Sequence, residues 1–402
     1  MNSGIITNID TAIDLDYYAK FIAGKTALVA QGGGQRGIFT SGVLDAFLIS
    51  NFDPFDEFFG TSAGALNLCA YLCRNKGLSR SFVLELTTSP EFFNLFSYIR
   101  HRKKLGLEWA LEKIMAYPYK LDLDLGRQTL GDRQLFAAVT DSKDLQDYYF
   151  PVLSEDWYKV MVATCAIPRL YNDEIRIGNG SYVDGGVSAS IPVQEAWRRN
   201  ARSIVVIRTE PAFELNPVHS KPILPVKNKT LSLEELEWFR GSFNNVHGHW
   251  QQKVDQWKND WTSFFQQQIL SSKEQKRDRV HLDLLNGGRW LFGADDIYRL
   301  SHLIGDKFDS GLADMLMVHY QTYSLTQNFL NSPPDDTFVV QIAPSQTLKS
   351  SSLMSHKDDL LHDYELGLEA GYRFVETYSS TDNARSSHTP HLVTDAAGKK
   401  YL

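Results

Sequence analysis

An α/β fold built on a parallel sheet is what this sequence predicts, and three observations predict it. Buried-strand patterns alternate with helical ones from residue 25 onward, the order that places a parallel sheet between helices. The first strand-to-helix junction is glycine-rich, Gly32-Gly33-Gly34-Gln35-Arg36-Gly37. The second is Gly60-Thr61-Ser62-Ala63-Gly64, a G-x-S-x-G pentapeptide on a tight turn.

The elements follow in order. Residues 1–24 read as an N-terminal extension. Lys25 to Ala30 is an apolar run of strand length, and Ile38 to Leu48 after the glycine loop is helical. Phe55 to Phe59 is extended and leads into a helix over Ala63 to Cys73. There Leu66, Cys69, Ala70 and Cys73 fall at i, i+3, i+4 and i+7, which makes the two cysteines part of a core stripe. After a further helical stretch come an extended pair, Leu135–Thr140 and Tyr148–Val152, and a helix over Trp157–Ala166. A short strand, Ile175–Ile177 or Tyr182-Val183, delivers Asp184-Gly185-Gly186. Helix Val193–Asn200 and strand Ser203–Arg208 add another α–β step and complete a core domain over 25–210.

Residues 211–228, rich in Pro, Asn and Lys, read as a boundary loop. The pattern from Leu231 to about Leu330 is helical, with Trp250, Val254, Trp257 and Trp261 at i, i+4, i+7 and i+11, so 211–335 is expected to be a mainly helical accessory segment. Strand returns at Phe338–Ile342. Leu361, Tyr364, Leu368, Tyr372 and Val375 mark a last amphipathic helix, so 336–377 closes the fold. The polar, aperiodic stretch 378–402 is expected to be a flexible tail.

The junctions carry the chemistry. A serine on a strand-to-helix turn holds its hydroxyl clear of the backbone, and glycines at 60 and 64 remove the Cβ clashes such a turn suffers. The glycines at 32–37 let successive N–H groups point into one concavity at the positive end of a helix, which suits a phosphate or a developing oxyanion. Read as G-x-G-x-x-G, the same loop is a dinucleotide fingerprint, but that reading wants an acid at the end of the second strand, about 20 residues on. Asp56 and Glu57 precede or lie within that strand, which ends instead in Gly60-Thr61-Ser62. Asp184-Gly185 alone is ordinary turn chemistry; beside the other two motifs it is a candidate reacting carboxylate. Among eleven histidines, a Ser-Asp-His order could draw on His219, His247 or His249, so an α/β-hydrolase triad acting on esters or thioesters stays open. His247-Gly248-His249 lacks a third ligand at metal spacing, and no metal is expected.

Together the three motifs resemble the patatin-like phospholipases, which carry G-G-G-x-R-G, G-x-S-x-G and D-G-G or D-G-A in this order. The family's A-S-x-A-x-P is matched by Ala163-Thr164-Cys165-Ala166-Ile167-Pro168, with Thr for Ser. The likeness runs from Thr26 to Arg208, weakens, and returns at Phe338–Pro344 and Asp358–Val375. It implies a three-layer α/β/α fold with a central, mainly parallel sheet and an additional helical segment. It implies Ser62 as nucleophile, Asp184 as base, and the N–H groups of Gly33, Gly34 and Gln35 as oxyanion hole. Gly32, Arg36, Gly37, Gly60, Gly64, Gly185 and Gly186 would support them, with Arg36 anchoring the glycine loop in preference to meeting a substrate phosphate. The implied activity is hydrolysis of lipid carboxylic esters, phospholipid or lysophospholipid, without a cofactor. A lipid-binding protein that does not turn over is the competing class.

Composition bounds the partners. The 402-residue chain is 43% hydrophobic and 22% charged with a net charge of −7, which argues against general nucleic-acid binding and gives no bulk attraction to anionic membranes. No apolar run reaches the roughly 18 residues of a membrane span, and no signal peptide is visible. Three cysteines make no disulfide framework, so a cytoplasmic protein is expected, peripheral contact at the inner membrane surface being allowed. Phe92–Ile99 runs into Arg100-His101-Arg102-Lys103-Lys104, an arrangement that suits an interfacial patch but reads more simply as a lid or core helix with a solvated charged end. The Trp250–Trp261 stripe likewise reads as core before membrane contact.

Overall fold

Alternation along the strands decides the layering. In the computed structural model, which describes residues 3–6, 24–94, 105–168, 170–171, 174–212 and 310–388, successive strand residues enter two separate apolar cores. Leu28 and Ala30 join one core while Ala27 and Val29 join the other; Phe58 and Phe59 divide the same way, as do Val205 and Val206. A strand buried on both faces reads as a continuous apolar run, which is why Lys25–Ala30 and Ser203–Arg208 were legible as strands of a parallel sheet.

The strands are β1 (Ser3–Ile6), β2 (Lys25–Ala30), β3 (Glu57–Thr61), β4 (Gln134–Asp141), β5 (Asp147–Pro151), β6 (Ile175–Ile177), β7 (Gly180–Asp184), β8 (Ala201–Ile207) and β9 (Phe338–Ile342). They form one sheet in the order β1-β9-β8-β2-β3-β4-β7-β6, with β5 also on β4. From β1 to β4 all pairings are parallel; β5, β7 and β6 add antiparallel ones. The larger core is capped by α1 (Gly37–Ile49), α2 (Ala63–Leu72), α3 (Leu107–Met115), α4 (Leu123–Leu130) and α5 (Trp157–Cys165). The smaller core takes residues of α6 (Val193–Arg198) and α7 (Ser310–Asn331). The last helix, α8 (Lys357–His388), lies against α1 and sends Leu360, Ala370 and Phe374 into the larger core. This is a mainly parallel sheet with helices on both faces, the three-layer α/β/α arrangement expected.

Two boundaries differ from the sequence reading. Ser3–Ile6, assigned to an extension, is an edge strand paired in parallel with Val339–Ile342. Helix α8 runs to His388 instead of ending near Thr377, and no Gly or Pro intervenes before Pro390 to stop it. Of the accessory segment 211–335, α7 is helical as expected, and the Trp250–Trp261 stripe lies outside the described residues, as do residues 95–104. Phe92 is buried in a turn, and Cys69 and Cys73 are buried in the larger core. Among the described residues no helix is long and apolar enough to cross a membrane.

Candidate active site

Ser62 and Asp184 meet because of strand register. On β4, Phe136, Ala137 and Ala138 pair with β3 and also with β5, while Val139 and Thr140 pair with β5 and also with β7. A residue has only two edges, so β3 and β7 share the edge opposite β5. β3 runs parallel to β4 and β7 antiparallel, so their C-terminal ends approach head-on, with Thr61 opposite Ala138 and Asp184 opposite Val139. Ser62 is the next residue after Thr61. Two loops far apart in sequence are thereby delivered to one point beside β4, where β3 and β7 end.

The turn at Ser62 is strained. Its backbone stands at φ 52°, ψ −124°, a region that L residues enter only when their surroundings enforce it. The enforcement is visible. The Ser62 N–H donates to Thr164 Oγ1 at 2.9 Å, and Thr164 in turn donates to the Ala138 carbonyl at 2.6 Å. Thr61 Oγ1 donates to the Ala189 carbonyl at 2.6 Å. A Cβ on Gly64 would come within 2.4 Å of the Ala30 carbonyl, and one on Gly60 within 2.6 Å of the Ala65 backbone, so the elbow closes only over glycine at both positions.

Asp184 is almost fully buried. Its N–H donates to the Ala166 carbonyl at 3.0 Å and its own carbonyl accepts from Thr140 Oγ1 at 2.9 Å. Oδ1 accepts from the Gly186 N–H at 2.7 Å, whereas Oδ2 is buried with no hydrogen-bond partner among the described residues. Burial pushes the carboxyl pKa up to about 7, against the lowering effect of the Gly186 N–H and of the Ser62 hydroxyl. Ser62 therefore stands close enough to steady the carboxylate, yet no well-formed bond closes on Oδ2. Cys165 shares the same space: burial and then the charge of Asp184 push its thiol pKa up, while Ser62 opposes them.

The glycine loop is held from several sides. Gln31 N–H donates to the Ile207 carbonyl and Gly32 N–H to the Ser190 carbonyl, both at 3.0 Å. Gly34 has φ +59°, and a Cβ there would lie 2.4 Å from the Ser352 carbonyl. Asn67 Nδ2 donates to the Gly37 carbonyl at 3.0 Å, tying α2 to the start of α1. One expectation is corrected here. The Gln35 N–H donates to the Ser352 carbonyl at 2.9 Å, so it is committed and not available to an oxyanion. The loop's remaining candidates are the amides of Gly33 and Gly34. Gln35 is also fixed by its side chain, with Nε2 donating to Thr87 Oγ1 at 3.0 Å and Oε1 accepting from the Ser355 N–H at 2.8 Å. Arg36 anchors the loop, pairing with Glu210 at 2.8 Å with both side chains about nine-tenths buried.

Asp56 and Glu57 have structural partners: Asp56 Oδ2 accepts from the Thr26 N–H at 2.7 Å, and Glu57 pairs with Lys25 at 2.9 Å. His219, His247 and His249 lie outside the described residues. The histidine that does reach the site was not singled out. His319 on α7 is buried, with Nδ1 2.7 Å from the Gly186 carbonyl, and its ring stacks on Tyr323. The Tyr323 hydroxyl donates to Glu210, the carboxylate that holds Arg36. No signal in the sequence singles these residues out, because their spacing is that of any other helix.

Residues 28–197 match the family model described as patatin-like phospholipase, and residues 309–383 match one described only as a domain of unknown function (DUF6363). Over 374 residues the chain is 28% identical to the uncharacterized protein YjjU of Escherichia coli (strain K12), a match that covers 93% of this chain and 83% of that protein. The crystal structure of VipD from Legionella pneumophila aligns over 90% of this chain and 67% of that one at 13% identity with a TM-score of 0.31, a superposition too loose to carry an argument.

Proposed function

Because residues 28–197 are a patatin-like phospholipase domain, we propose that this protein is a serine acyl hydrolase that cleaves carboxylic esters of lipids, phospholipid or lysophospholipid, through an acyl-Ser62 intermediate. The family is one of lipid acyl hydrolases; the dyad and the substrate class are our reading. The observation that carries it is Asp184, a buried carboxylate with one unpartnered oxygen and a pKa raised to about 7, beside a serine on a strained turn.

A serine hydroxyl is a poor nucleophile until a neighbour accepts its proton, and a carboxylate of ordinary pKa is too weak a base to do so. A base near 7 is matched to neutral pH. Ionised Asp184 takes the Ser62 proton as Oγ bonds to the ester carbonyl carbon, and the carbonyl π electrons move to oxygen. That oxyanion meets the Gly33 and Gly34 N–H groups, each such donor typically worth about 3–4 kcal/mol in the transition state. Collapse breaks the bond to the alkoxide, which leaves with the proton from Asp184. Water then repeats the sequence: Asp184 takes its proton, the hydroxide oxygen attacks the acyl carbon, and Ser62 leaves with that proton. The substrate would be met at a lipid surface by a cytoplasmic protein.

Hydrolysis of a short-chain p-nitrophenyl ester by wild type, Ser62→Ala and Asp184→Asn, with and without chelator, tests the reading. Activity confined to wild type and indifferent to chelator supports it, as does labelling of wild type alone by a fluorophosphonate. If Asp184→Asn keeps most of the activity, the base lies elsewhere. If wild type is inert on this ester and on phospholipid vesicles and resists labelling, the hydrolase reading fails and the non-catalytic lipid-binding one takes its place.

A further inference from the structure

The segment that matches only a domain of unknown function reaches both loops of the site. From α7, His319 meets the aspartate loop at the Gly186 carbonyl, 2.7 Å away, and Tyr323 meets Glu210, which holds Arg36 of the glycine loop. From the stretch between β9 and α8, the Ser352 carbonyl accepts from Gln35 N–H and the Ser355 N–H donates to Gln35 Oε1. We infer that this C-terminal segment is the second half of the hydrolase site, and that His319 is a positioning residue holding the Asp184 loop in its working geometry.

The inference rests on Asp184 being the base. A carbonyl oxygen only accepts, so the 2.7 Å contact makes His319 Nδ1 the proton-bearing nitrogen. Burial lowers the ring's pKa to about 4, which keeps it neutral at working pH; the Gly186 carbonyl and then Glu210 oppose that shift, and Arg36 adds to it. Gly186 is thus gripped through its carbonyl while its N–H donates to Asp184 Oδ1 at 2.7 Å. That N–H bond lowers the aspartate's pKa against the burial that raises it. Around Asp184 the other polar groups are the Ser62 hydroxyl, the Cys165 thiol and Thr140, whose hydroxyl takes the Asp184 carbonyl. His319 acts on the carboxylate only through Gly186. Loosening that grip weakens the N–H bond and lets the Asp184 pKa rise further.

The test compares wild type, His319→Leu, His319→Gln and, as a control on the exposed face of α7, Ser324→Ala, by thermal melting, by kcat, KM and pH profile on the p-nitrophenyl ester, and by ¹³C NMR titration of the Asp184 carboxyl. His319→Leu should lower kcat roughly tenfold with KM little changed, and move the acid limb and the carboxyl titration to higher pH. His319→Gln, which keeps a donor, should recover most of both, and Ser324→Ala should match wild type. A folded His319→Leu whose limb and titration stay in place overturns the inference. Should that variant not fold, the ¹⁵N spectrum of His319 in wild type decides: an Nδ1–H tautomer is required, and an Nε2–H tautomer refutes it. If wild type hydrolyses nothing but the Asp184 titration still moves with His319→Leu, the catalytic reading fails and the positioning one stands.

Discussion

The glycine loop leaves the C-terminal end of β2 and the aspartate loop that of β7, both buried, and they treat their reactive groups differently. In the glycine loop Gln35 uses its backbone N–H and both ends of its side chain, and Arg36 is matched by a buried carboxylate. In the aspartate loop one carboxylate oxygen is buried with no partner among the described residues. A buried polar group without a partner costs free energy, and a folded protein tolerates it where it has a use. The contrast separates two jobs. Donors that meet a developing charge must already be still, so their scaffold is tied down by the Gln35 bonds and the Arg36–Glu210 pair, although Arg36 Nε is itself buried with no hydrogen-bond partner among the described residues. A base must want a proton, so its surroundings leave that demand unmet.

Removing the unmet demand should break the contrast most. Asp184→Asn is expected to reduce kcat/KM by about 10³-fold or more. It should also stabilise the fold. The native pKa, about 7, lies above the ordinary carboxylate value, so the folded state holds the proton more tightly than the unfolded state does. The cost of ionising Asp184 is absent below about pH 4, grows from there to pH 7 and is complete above it. Melts of the variant and wild type should therefore coincide near pH 4 and separate by several degrees, variant higher, at pH 8. Equal melting at pH 8 would mean that the carboxylate is not strained by burial.

The glycine loop answers to geometry instead. Gly34→Ala puts a Cβ 2.4 Å from the Ser352 carbonyl on a residue at φ +59°, so the loop must move and take its amides with it. Misplacing an oxyanion donor typically costs about 10²–10³ in kcat. The effect should fall on kcat with the acid limb near 7 unmoved, since Asp184 is untouched. A shifted limb would show that the two loops are not separable.

How much of this was legible follows from what is local. Gly34, Gly60, Gly64 and Ser62 could be read because backbone constraints at a turn select residue types within a few positions, and the strands of the parallel sheet because burial on both faces leaves an apolar run. The meeting of Thr61 and Asp184 at neighbouring places on β4 could not, since register between distant strands leaves no mark on either one. The commitment of Gln35 N–H to Ser352 and the placing of His319, 133 residues on from its partner Gly186, depend on a distant C-terminal segment whose spacing looks like any other. Ser3–Ile6 is too short a strand to show a period.

Arg36 tests whether the glycine loop is tied down for stillness or merely for burial. Removing one partner of a buried pair leaves the other charge stranded, and Arg36→Met should cost about 3–5 kcal/mol in a urea melt, with Glu210 left to Tyr323. The double variant Arg36→Met with Glu210→Met should recover much of that stability. If the ion pair serves loop position, the double variant remains slower than wild type by roughly tenfold despite its recovered melt. Full recovery of rate would reduce the pair to packing.

Thr164 bears on the point where the contrast is narrowest, because α5 touches both the serine and the aspartate. Its hydroxyl accepts from Ser62 N–H and donates to the Ala138 carbonyl, while Ala166, two residues on, accepts from Asp184 N–H. Thr164→Val keeps the shape and removes both hydroxyl bonds, so it should cost about 1–2 kcal/mol of stability. The strained turn at Ser62 then loses one of its constraints, and kcat should fall by less than about tenfold, since the carboxylate keeps its own bonds. Thr164→Ser retains donor and acceptor and should lie within about 0.5 kcal/mol of wild type, with unchanged rate. A Thr164→Val protein that melts lower but turns over at the wild-type rate would show that the elbow holds Ser62 through its glycines alone.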